Sequence, residues 1–388
     1  MLIAGEASGD LLAAELVQAL KAQPGGAGAK FFGAGGAKMA GAGVELAFDM
    51  TQHSVIGLWE VVKRYGTFKR LFDQLLQLAP ERKPDALICV DFSGFNRRFA
   101  AALRWELRVR AAEFPGWRPR IVQFVSPQVW ASRPGRAKSM ARDLDLLLSI
   151  FPFEKAWYAE HAPGLRVEFV GHPMVDRFKA QSSKLKAQHD PPLVVLLPGS
   201  RVGELNRHLP AMLGAAQQIA GKTQATFRMV LPNDALADQA RAMSPSTPKI
   251  EFQVGGLSDA LQQATLAIAS TGTVTMECAC FGVPTVTLYK TGWTTYQIGK
   301  RIVKVNSLTM PNLLAGEPIF PEFIQDAATP ENIAGAALAL LNDPERCEAI
   351  RRKLTQIIAS LGGPGACARA ALAIGSLLDD RANQRVNR

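Results

Sequence analysis

The sequence lacks an apolar run of about 18 residues, the minimum for a membrane-spanning helix, so any membrane contact is expected to be peripheral. It also lacks a low-complexity tract, an internal repeat, and the basic-then-apolar start of a secretory signal. The five cysteines are scattered and odd in number, which favours a reducing compartment over a disulfide framework. We therefore expect a globular protein of the cytoplasm.

Charged residues are few, at 20% of the chain, but they are not balanced, and the net charge is +10. Between Arg97 and Arg142 there are eleven lysines and arginines against only Glu106 and Glu113, with phenylalanines and tryptophans interleaved. Such a patch attracts anions, which could be a phosphorylated substrate, acidic lipid headgroups or nucleic acid. A solvated basic face without a ligand is the other interpretation, and the composition leaves both open.

Short apolar runs alternate with longer helical patterns along the chain of 388 residues, which predicts α/β architecture with two doubly wound, Rossmann-like parallel-sheet domains that face a cleft. The predicted strands of the first half are Leu2–Ala4, Lys30–Phe32, Ala86–Asp91, Ile121–Val125, Leu144–Ile150 and Val167–Val170. Those of the second half are Leu193–Leu197, Phe227–Leu231, Ile250–Val254, Leu266–Ala269 and Thr285–Leu288.

The proline-containing polar stretch between the halves is typical of an interdomain linker. The sequence thus predicts a first domain over residues 1–172, a linker over 173–190, a second domain over 191–345, and terminal helices over 346–388 that pack on either domain. Ligands of open α/β sheets bind beyond the carboxyl ends of the strands. The loops that follow strands are therefore the places to look for chemistry.

The first such loop is Gly-Glu-Ala-Ser-Gly-Asp, Gly5–Asp10, between a short strand and a helix. Its glycines allow a tight turn, and a helix start offers amides to an anion, but its two acids would repel a phosphate. The two carboxylates fit better as hydrogen-bond acceptors for sugar hydroxyls, and a serine or aspartate can cap the helix. A tight capped turn without a ligand is the alternative. The candidate acceptor-binding residues here are Glu6, Ser8, Gly9 and Asp10.

Asp91 ends a predicted buried strand and is followed by Phe-Ser-Gly-Phe-Asn. The last of these residues, Asn96, is a further acceptor-site candidate. A carboxylate at this position can act as a general base whose pKa is adjusted by apolar neighbours. The alternative is a loop cap or a partner for Arg97 or Arg98. Asp91 is the leading catalytic candidate.

Two loops of the second half combine glycine, hydroxyls and a helix start, which suits a nucleotide diphosphate. Glu277, one turn inside the second helix, can accept both hydroxyls of a ribose. Ordinary capped turns are the alternative. The candidate residues are Gly199, Ser200 and Arg201 in the first loop, and Ser270, Thr271, Gly272, Thr273 and Glu277 in the second.

No metal site is expected. Asp143 and Asp145 match the Asp-x-Asp pattern of metal-dependent sugar transferases, but they precede an apolar run instead of following a strand. The five histidines show no ligand spacing, and we expect no metal and no cofactor.

Several ordered segments carry a resemblance to a known family: Gly5–Asp10, Asp91–Asn96, Val125–Trp130, Phe151–Glu154, Val170–Pro173, Leu197–Arg201, Ser270–Glu277 and Pro311–Gly316. Together they resemble lipid-A-disaccharide synthases, inverting glycosyltransferases of the two-Rossmann-domain (GT-B) type. One departure is Ser132, which stands where the family usually has a tryptophan.

The resemblance implies transfer of 2,3-diacylglucosamine from UDP-2,3-diacylglucosamine to the 6-hydroxyl of 2,3-diacylglucosamine 1-phosphate, giving the β-1′,6 disaccharide and UDP. It implies that Asp91 is the base, that Arg201 and Asn312 serve the UDP site, and that Glu6 lies in the first-domain motif. It also implies work at the inner membrane surface, and it leaves a homodimer as an option.

The mixed apolar and basic segment Trp59–Leu76 is typical of an interfacial helix, although a core-facing helix explains it equally well. Among enzymes, the alternatives are a UDP-N-acetylglucosamine 2-epimerase and the peptidoglycan-precursor glucosaminyltransferase. The alternative outside enzymes is a nucleic-acid-binding protein that uses the patch Arg97–Arg142. It leaves the strand-end acid and the glycine loops unexplained, so no nucleic-acid partner is expected.

Overall fold

The computed structural model describes residues 1–53, 65–178 and 190–386. They divide into two compact units. Unit 1 comprises Met1–Asp176 and Leu361–Arg388, and unit 2 comprises Arg177–Ser360. The chain therefore passes between the units twice, and most of the linker predicted over 173–190 lies outside the described residues.

Unit 1 contains a seven-stranded, all-parallel sheet in the order β3-β2-β1-β4-β5-β6-β7. The strands are β1 Leu2–Ala4, β2 Phe31–Gly35, β3 Val44–Asp49, β4 Ala86–Val90, β5 Arg120–Phe124, β6 Leu146–Ser149 and β7 Val167–Phe169. The doubly wound parallel sheet is confirmed, and all six predicted strands are present. The edge strand β3 was not predicted, because its half-exposed residues form no continuous apolar run.

The helices of unit 1 cover both its sheet faces. They are α1 Ala7–Lys21, α2 Ala37–Gly41, α3 Tyr65–Arg82, α4 Ser93–Val109, α5 Val129–Ser132, α6 Arg136–Asp143 and α7 Glu154–His161, with α8 Met174–Phe178 at the passage to unit 2. The last helix, α17 Ala366–Val386, packs on α1 and on β5 and β6.

Unit 2 contains a six-stranded parallel sheet in the order β10-β9-β8-β11-β12-β13. The strands are β8 Leu193–Leu197, β9 Thr226–Leu231, β10 Ile250–Val254, β11 Leu266–Ser270, β12 Thr285–Tyr289 and β13 Glu322–Ile324. The helices are α9 Val202–Ala220, α10 Asp234–Met243, α11 Leu257–Gln263, α12 Thr273–Cys280, α13 Trp293–Ile302, α14 Met310–Ala315, α15 Pro330–Leu341 and α16 Pro344–Ser360. The predicted second doubly wound sheet is thus also confirmed.

The terminal helices predicted over 346–388 are divided between the two units. Helix α16 belongs to unit 2, where it packs against α12, α14 and α15, whereas α17 belongs to unit 1.

Helix α3 contains the described part of the predicted interfacial segment Trp59–Leu76; residues 59–64 lie outside the described residues. Leu71 and Leu75 are buried, and Phe68 and Phe72 pack against the same core. The apolar face of α3 is therefore used inside unit 1, in agreement with the core-facing alternative.

Within the described ranges, no helix combines the length and apolar character that crossing a membrane would require.

Candidate active site

Each sheet reverses its strand order once, and the candidate loops flank both reversals. In unit 1 the reversal lies between β1 and β4, which are followed by the loop Gly5–Asp10 and by Asp91. In unit 2 it lies between β8 and β11, which are followed by Pro198–Arg201 and by Thr271–Thr273. Such switch points are where α/β sheets bind ligands, because adjacent loops there run to opposite faces and leave a crevice.

Unit 2 contains a pocket of about 500 Å³ at its switch point. Eight of the predicted donor-site residues line it: Gly199, Ser200, Arg201, Ser270, Thr271, Gly272, Thr273 and Glu277. The structure therefore brings together two loops that are about seventy residues apart in the chain. Leu231 and Leu257 add an apolar wall suited to a flat ring.

Glu204 holds the first loop in shape, a role the sequence did not reveal. Its carboxylate accepts a hydrogen bond from the Ser200 amide at 3.0 Å and pairs with the Arg201 guanidinium at 3.3 Å. Gly199 has a φ of +123°, and a Cβ there would lie 2.6 Å from Oε2 of Glu204. Only glycine therefore fits. Arg201 is 46% exposed and keeps further donors for an anion.

The second loop places a helix start in the pocket. Gly272 has a φ of +138°, and its carbonyl accepts a hydrogen bond from the Thr275 hydroxyl at 2.7 Å. The first amides of α12 have no acceptor within the helix, so they are donors suited to a phosphate. One turn further, burial raises the pKa of Glu277, and the nearby positive charge of Arg177 opposes that rise.

His208 connects a loop of the pocket to the sheet of unit 2. This fully buried side chain bonds the Pro198 carbonyl through Nδ1 at 2.8 Å, and its Nε2 accepts from the Lys290 amide at 3.0 Å. Since Nε2 must accept, the ring is neutral with its proton on Nδ1. Burial lowers the pKa of His208 in agreement. His208 thus connects the loop after β8 to the end of β12.

Asn312 is not among the residues that line this pocket, in contrast to the implied direct role at the UDP site. It is 2% exposed, and its amide group donates to the Phe320 carbonyl and to Glu322, both at 2.8 Å. Its Oδ1 accepts from the Phe320 amide, also at 2.8 Å. Both of its donor hydrogens are used within the protein, so its evident role is to fix α14 on the segment before β13.

In unit 1, Asp91 occupies a strained backbone position. Asp91 and Phe92 have φ angles of +48° and +42°, in the left-handed region that costs a non-glycine residue about 1–2 kcal/mol. The Asp91 carbonyl accepts hydrogen bonds from Asn96 Nδ2 at 2.9 Å and from Gln123 Nε2 at 3.1 Å. These two side chains hold the strained turn. Such strain is concentrated at functional sites.

Burial raises the pKa of Asp91 above its ordinary value, and a hydrogen bond from the Phe92 amide opposes the rise. A raised pKa makes the carboxylate a stronger base. The base of the Asp91 side chain lies beside the first loop, because a Cβ at Gly9 would be 3.6 Å from the Cβ of Asp91. Gly5 is equally constrained, since a Cβ there would lie 2.3 Å from the Phe92 ring.

Two of the predicted acceptor-site residues are buried and hydrogen-bonded within unit 1. Asp10 is 4% exposed and accepts hydrogen bonds from the amides of Gly36, Lys38 and Met39 at 2.7–3.1 Å. It therefore caps α2, and both of its carboxylate oxygens already accept hydrogen bonds within unit 1. Asn96 is fully buried, and both hydrogens of its amide group are given to the carbonyls of Val90 and Asp91. Glu6 and Ser8 are exposed, as direct contact with a ligand requires.

A buried polar network lies under the loops that follow β5 and β6. Glu154 is fully buried and accepts hydrogen bonds from the Trp130 indole at 3.0 Å and the Phe151 amide at 3.3 Å. Ser126 also bonds to it and to the buried Tyr158 hydroxyl. Burial raises the pKa of Glu154 to about 7. This network joins the segments Val125–Trp130 and Phe151–Glu154.

Most aromatic side chains of the basic patch Arg97–Arg142 are buried. Phe99, Phe114, Trp117 and Phe124 are buried in the core of unit 1, Trp130 is half-buried, and Trp105 is 60% exposed. Several of its arginines are paired, Arg104 and Arg120 with Asp145, Arg110 with Glu113, and Arg142 with Asp143. Buried rings cannot stack on bases, and Trp105 is the one largely exposed ring of the patch, so the structure offers little of the stacking surface that the nucleic-acid alternative requires.

In the part of the chain that the structure describes, no group of three or more His, Cys, Asp or Glu side chains could hold a metal ion.

Comparison with known proteins decides the family. Residues 1–376 match the family model described as LpxB, lipid-A-disaccharide synthetase. The chain belongs to the lipid-A-disaccharide synthase family. It is 36% identical over 383 residues to the lipid-A-disaccharide synthase of Syntrophus aciditrophicus, with 96% of each chain covered. It is 37% identical over 381 residues to that of Geobacter sulfurreducens, with 96% of this chain and 95% of the relative covered.

Solved structures agree on the GT-B fold. A putative UDP-N-acetylglucosamine 2-epimerase from Listeria monocytogenes superposes with a TM-score of 0.62 at 17% identity, covering 98% of this chain and 96% of that chain. The calicheamicin glycosyltransferase CalG4 gives 0.58 at 16% identity, covering 98% and 97%. At such identities the likeness shows the fold alone. Membership of the lipid-A-disaccharide synthase family makes this chain a glycosyltransferase of lipid A biosynthesis that uses a UDP-sugar and a lipid-linked glucosamine.

Proposed function

We propose that the enzyme transfers 2,3-diacylglucosamine from UDP-2,3-diacylglucosamine to the 6-hydroxyl of 2,3-diacylglucosamine 1-phosphate, with Asp91 as the general base. The acceptor oxygen forms a bond to the anomeric carbon of the donor while the bond from that carbon to the diphosphate breaks. The proton passes to Asp91 and the electron pair leaves with UDP. A single displacement inverts the anomeric carbon.

The observation that carries this proposal is the state of Asp91. A half-buried carboxylate with a raised pKa, held in a left-handed turn at the switch point of its sheet, has the properties of a positioned base. Glu6 and Ser8 on the neighbouring loop are the exposed groups available to hold the acceptor sugar.

The unit 2 pocket supplies the other requirement, stabilisation of the leaving group. Amides at the start of α12 and the guanidinium of Arg201 are donors for the diphosphate, and Glu277 is the acceptor for the ribose hydroxyls. Preorganised donors of this kind stabilise the charge that develops on UDP in the transition state.

The test of the activity is to incubate the protein with both substrates in the presence of a chelator and to detect the disaccharide 1-phosphate by mass spectrometry. Product is expected with chelator present, because side chains and amides provide the stabilising charge. A reaction that stops on chelation would contradict this part of the proposal.

Asp91→Asn tests the base. It should lower kcat by about 10²–10⁴-fold, the usual contribution of general-base catalysis, and leave the affinity for UDP measured by calorimetry unchanged. Asp73→Asn, on the exposed surface of α3, is the matched control and should keep full turnover. Near-normal turnover by Asp91→Asn would exclude Asp91 as the base.

We also propose peripheral attachment to the cytoplasmic face of the inner membrane, supported by α13 and the segment that follows it. The tryptophan at the start of this helix, Trp293, is 72% exposed, and Val303 beyond its end is 38% exposed. Lys300, Arg301 and Lys304 are exposed beside them, and no acidic residue occurs between Lys290 and Gly316. An exposed aromatic among cations suits an anionic bilayer interface.

Sedimentation with vesicles containing phosphatidylglycerol tests the attachment. Trp293→Ser combined with Lys300→Ser should reduce binding at low salt, whereas Met243→Ser, at another exposed apolar position of unit 2, should not. Equal binding of the two variants would exclude α13 as the contact. A homodimer is a separate proposal, and light scattering of the purified protein tests it.

A further inference from the structure

Four arginines of unit 1 form a cluster that the proposed mechanism does not use. Arg97 and Arg98 lie in the second turn of α4, and Arg133 and Arg136 lie at the end of α5 and the start of α6. We call Arg97, Arg98, Arg133 and Arg136 the arginine cluster.

The local structure explains why the four residues come together. The Arg136 amide donates to the Arg133 carbonyl at 3.0 Å, so one tight turn joins these two residues. Helix α4 packs against α6, which brings the first pair towards the second. Burial lowers the pKa of Arg136, and the positive charges of the other three arginines lower it further.

The cluster is not neutralised within the described residues. None of its four guanidinium groups makes an ion pair there, whereas Arg104, Arg110, Arg120 and Arg142 of the same region all pair with acids. The only acids between Arg97 and Arg142 are Glu106 and Glu113, and both of these face Arg110. Like charges held close without a counterion cost free energy, and a bound anion would remove that cost.

The cluster is also suitably placed relative to Asp91. Helix α4 begins two residues after Asp91, so Arg97 and Arg98 lie about 6–8 Å along the axis from its start. An anion on the cluster and a hydroxyl at Asp91 can thus belong to the same acceptor molecule.

We infer that the arginine cluster binds the 1-phosphate of the acceptor sugar. A phosphate monoester is a dianion with three oxygen acceptors, and arginine forks bind it with paired hydrogen bonds. The 1-phosphate is on C1 and the 6-hydroxymethyl group is on C5, the two carbons that flank the ring oxygen, so one acceptor can place its phosphate on the cluster and its 6-hydroxyl at Asp91. This inference rests on the proposed function for the identity of the acceptor.

The experiment compares two soluble, short-chain acceptors, with and without the 1-phosphate, in steady-state assays. Arg136→Ala and Arg98→Ala should raise KM for the phosphorylated acceptor at least about tenfold, and leave KM for the unphosphorylated acceptor and for the donor unchanged. Arg136→Lys, which keeps the charge but not the fork, should give an intermediate KM. Arg108→Ala, on the exposed surface of the same helix α4, is the matched control.

UDP affinity and melting temperature distinguish a selective loss of phosphate binding from a general loss of structure. The variants should retain the wild-type values of both. The inference is overturned if the variants change KM for both acceptors equally or for neither. It is also overturned if they lose binding to phosphatidylglycerol vesicles while KM for the short-chain phosphorylated acceptor stays the same, because the cluster would then bind lipid headgroups.

Failure of the proposed function gives a different result, in which the wild-type protein forms no disaccharide from any acceptor. Calorimetric titration of the monosaccharide phosphate into the wild type and Arg136→Ala then decides the inference without turnover. Binding that is lost in the variant supports the cluster as the phosphate site, and equal binding refutes it.

Discussion

Replacing Glu154 by glutamine should change how the stability of unit 1 depends on pH. Glu154 is fully buried, and burial raises its pKa from 4.5 to about 7 despite hydrogen bonds from Trp130 and the Phe151 amide. Because the folded state binds the proton more tightly than the unfolded state, the stabilising contribution is complete at low pH. It is lost as the pH rises from about 4.5 through about 7.

The size of the effect follows from the two pKa values. One pKa unit corresponds to about 1.4 kcal/mol, so a rise from 4.5 to about 7 changes the free energy of unfolding by about 3 kcal/mol. Glutamine does not titrate, so the difference in unfolding free energy between wild type and Glu154→Gln should shift by about that amount between pH 4.5 and 8. A constant offset from altered hydrogen bonds does not affect this shift.

Urea unfolding followed by tryptophan fluorescence is the appropriate assay, since five of the six tryptophans lie in the first 176 residues. Titrations at several pH values give the difference between the two proteins at each. Glu160→Gln, exposed on the same helix α7, should leave the profile unchanged. If wild type and Glu154→Gln differ by the same amount at every pH, the carboxyl group is not buried as the structure has it.

Three further substitutions test other parts of the molecule. Gly199→Ala should weaken UDP binding in calorimetry, because the new Cβ meets Glu204 at a positive φ, and retained affinity would contradict that geometry. The melting temperature of the wild type should fall as the pH drops below about 6.5, because the His208 ring is buried and neutral in the folded state and gains a proton on unfolding. His208→Phe should remove this fall. If the melting temperature of the variant depends on acid pH as that of the wild type does, His208 does not titrate in that range. Asp10→Ala should cost about 1–3 kcal/mol in urea unfolding while KM for the acceptor stays near normal, and a selective rise in KM would restore Asp10 to the acceptor site.

The sequence indicated the candidate loops because each loop directly follows its strand in the chain. Buried strands such as Leu193–Leu197 form continuous apolar runs, and each is followed by the turn that carries its polar residues. Because parallel strands place these turns at one sheet edge, the predicted loops could be assigned to a common pocket before the strand order was known. The edge strands β3 and β13 were missed because their residues are largely half-exposed.

The roles of single polar side chains could not be predicted, because they depend on contacts that are distant in sequence. Asp10 caps a helix that begins 27 residues later, and Glu154 accepts a hydrogen bond from Trp130, 24 residues earlier. The apolar face of α3 likewise turns to the core and not to a bilayer, which periodicity alone does not distinguish. A polar residue in a glycine loop is therefore equally typical of a ligand contact and of a support for the loop.

The backbone strain at Asp91 determines which substitution gives an interpretable result. Among residues other than glycine, asparagine and aspartate are the ones that most readily adopt a positive φ, so Asp91→Asn keeps the turn that Asn96 and Gln123 hold. Alanine at the same position would add backbone strain and mix a structural loss with a chemical one. A large fall in kcat with Asp91→Asn at unchanged stability therefore reports the missing base, whereas the same fall with Asp91→Ala would not.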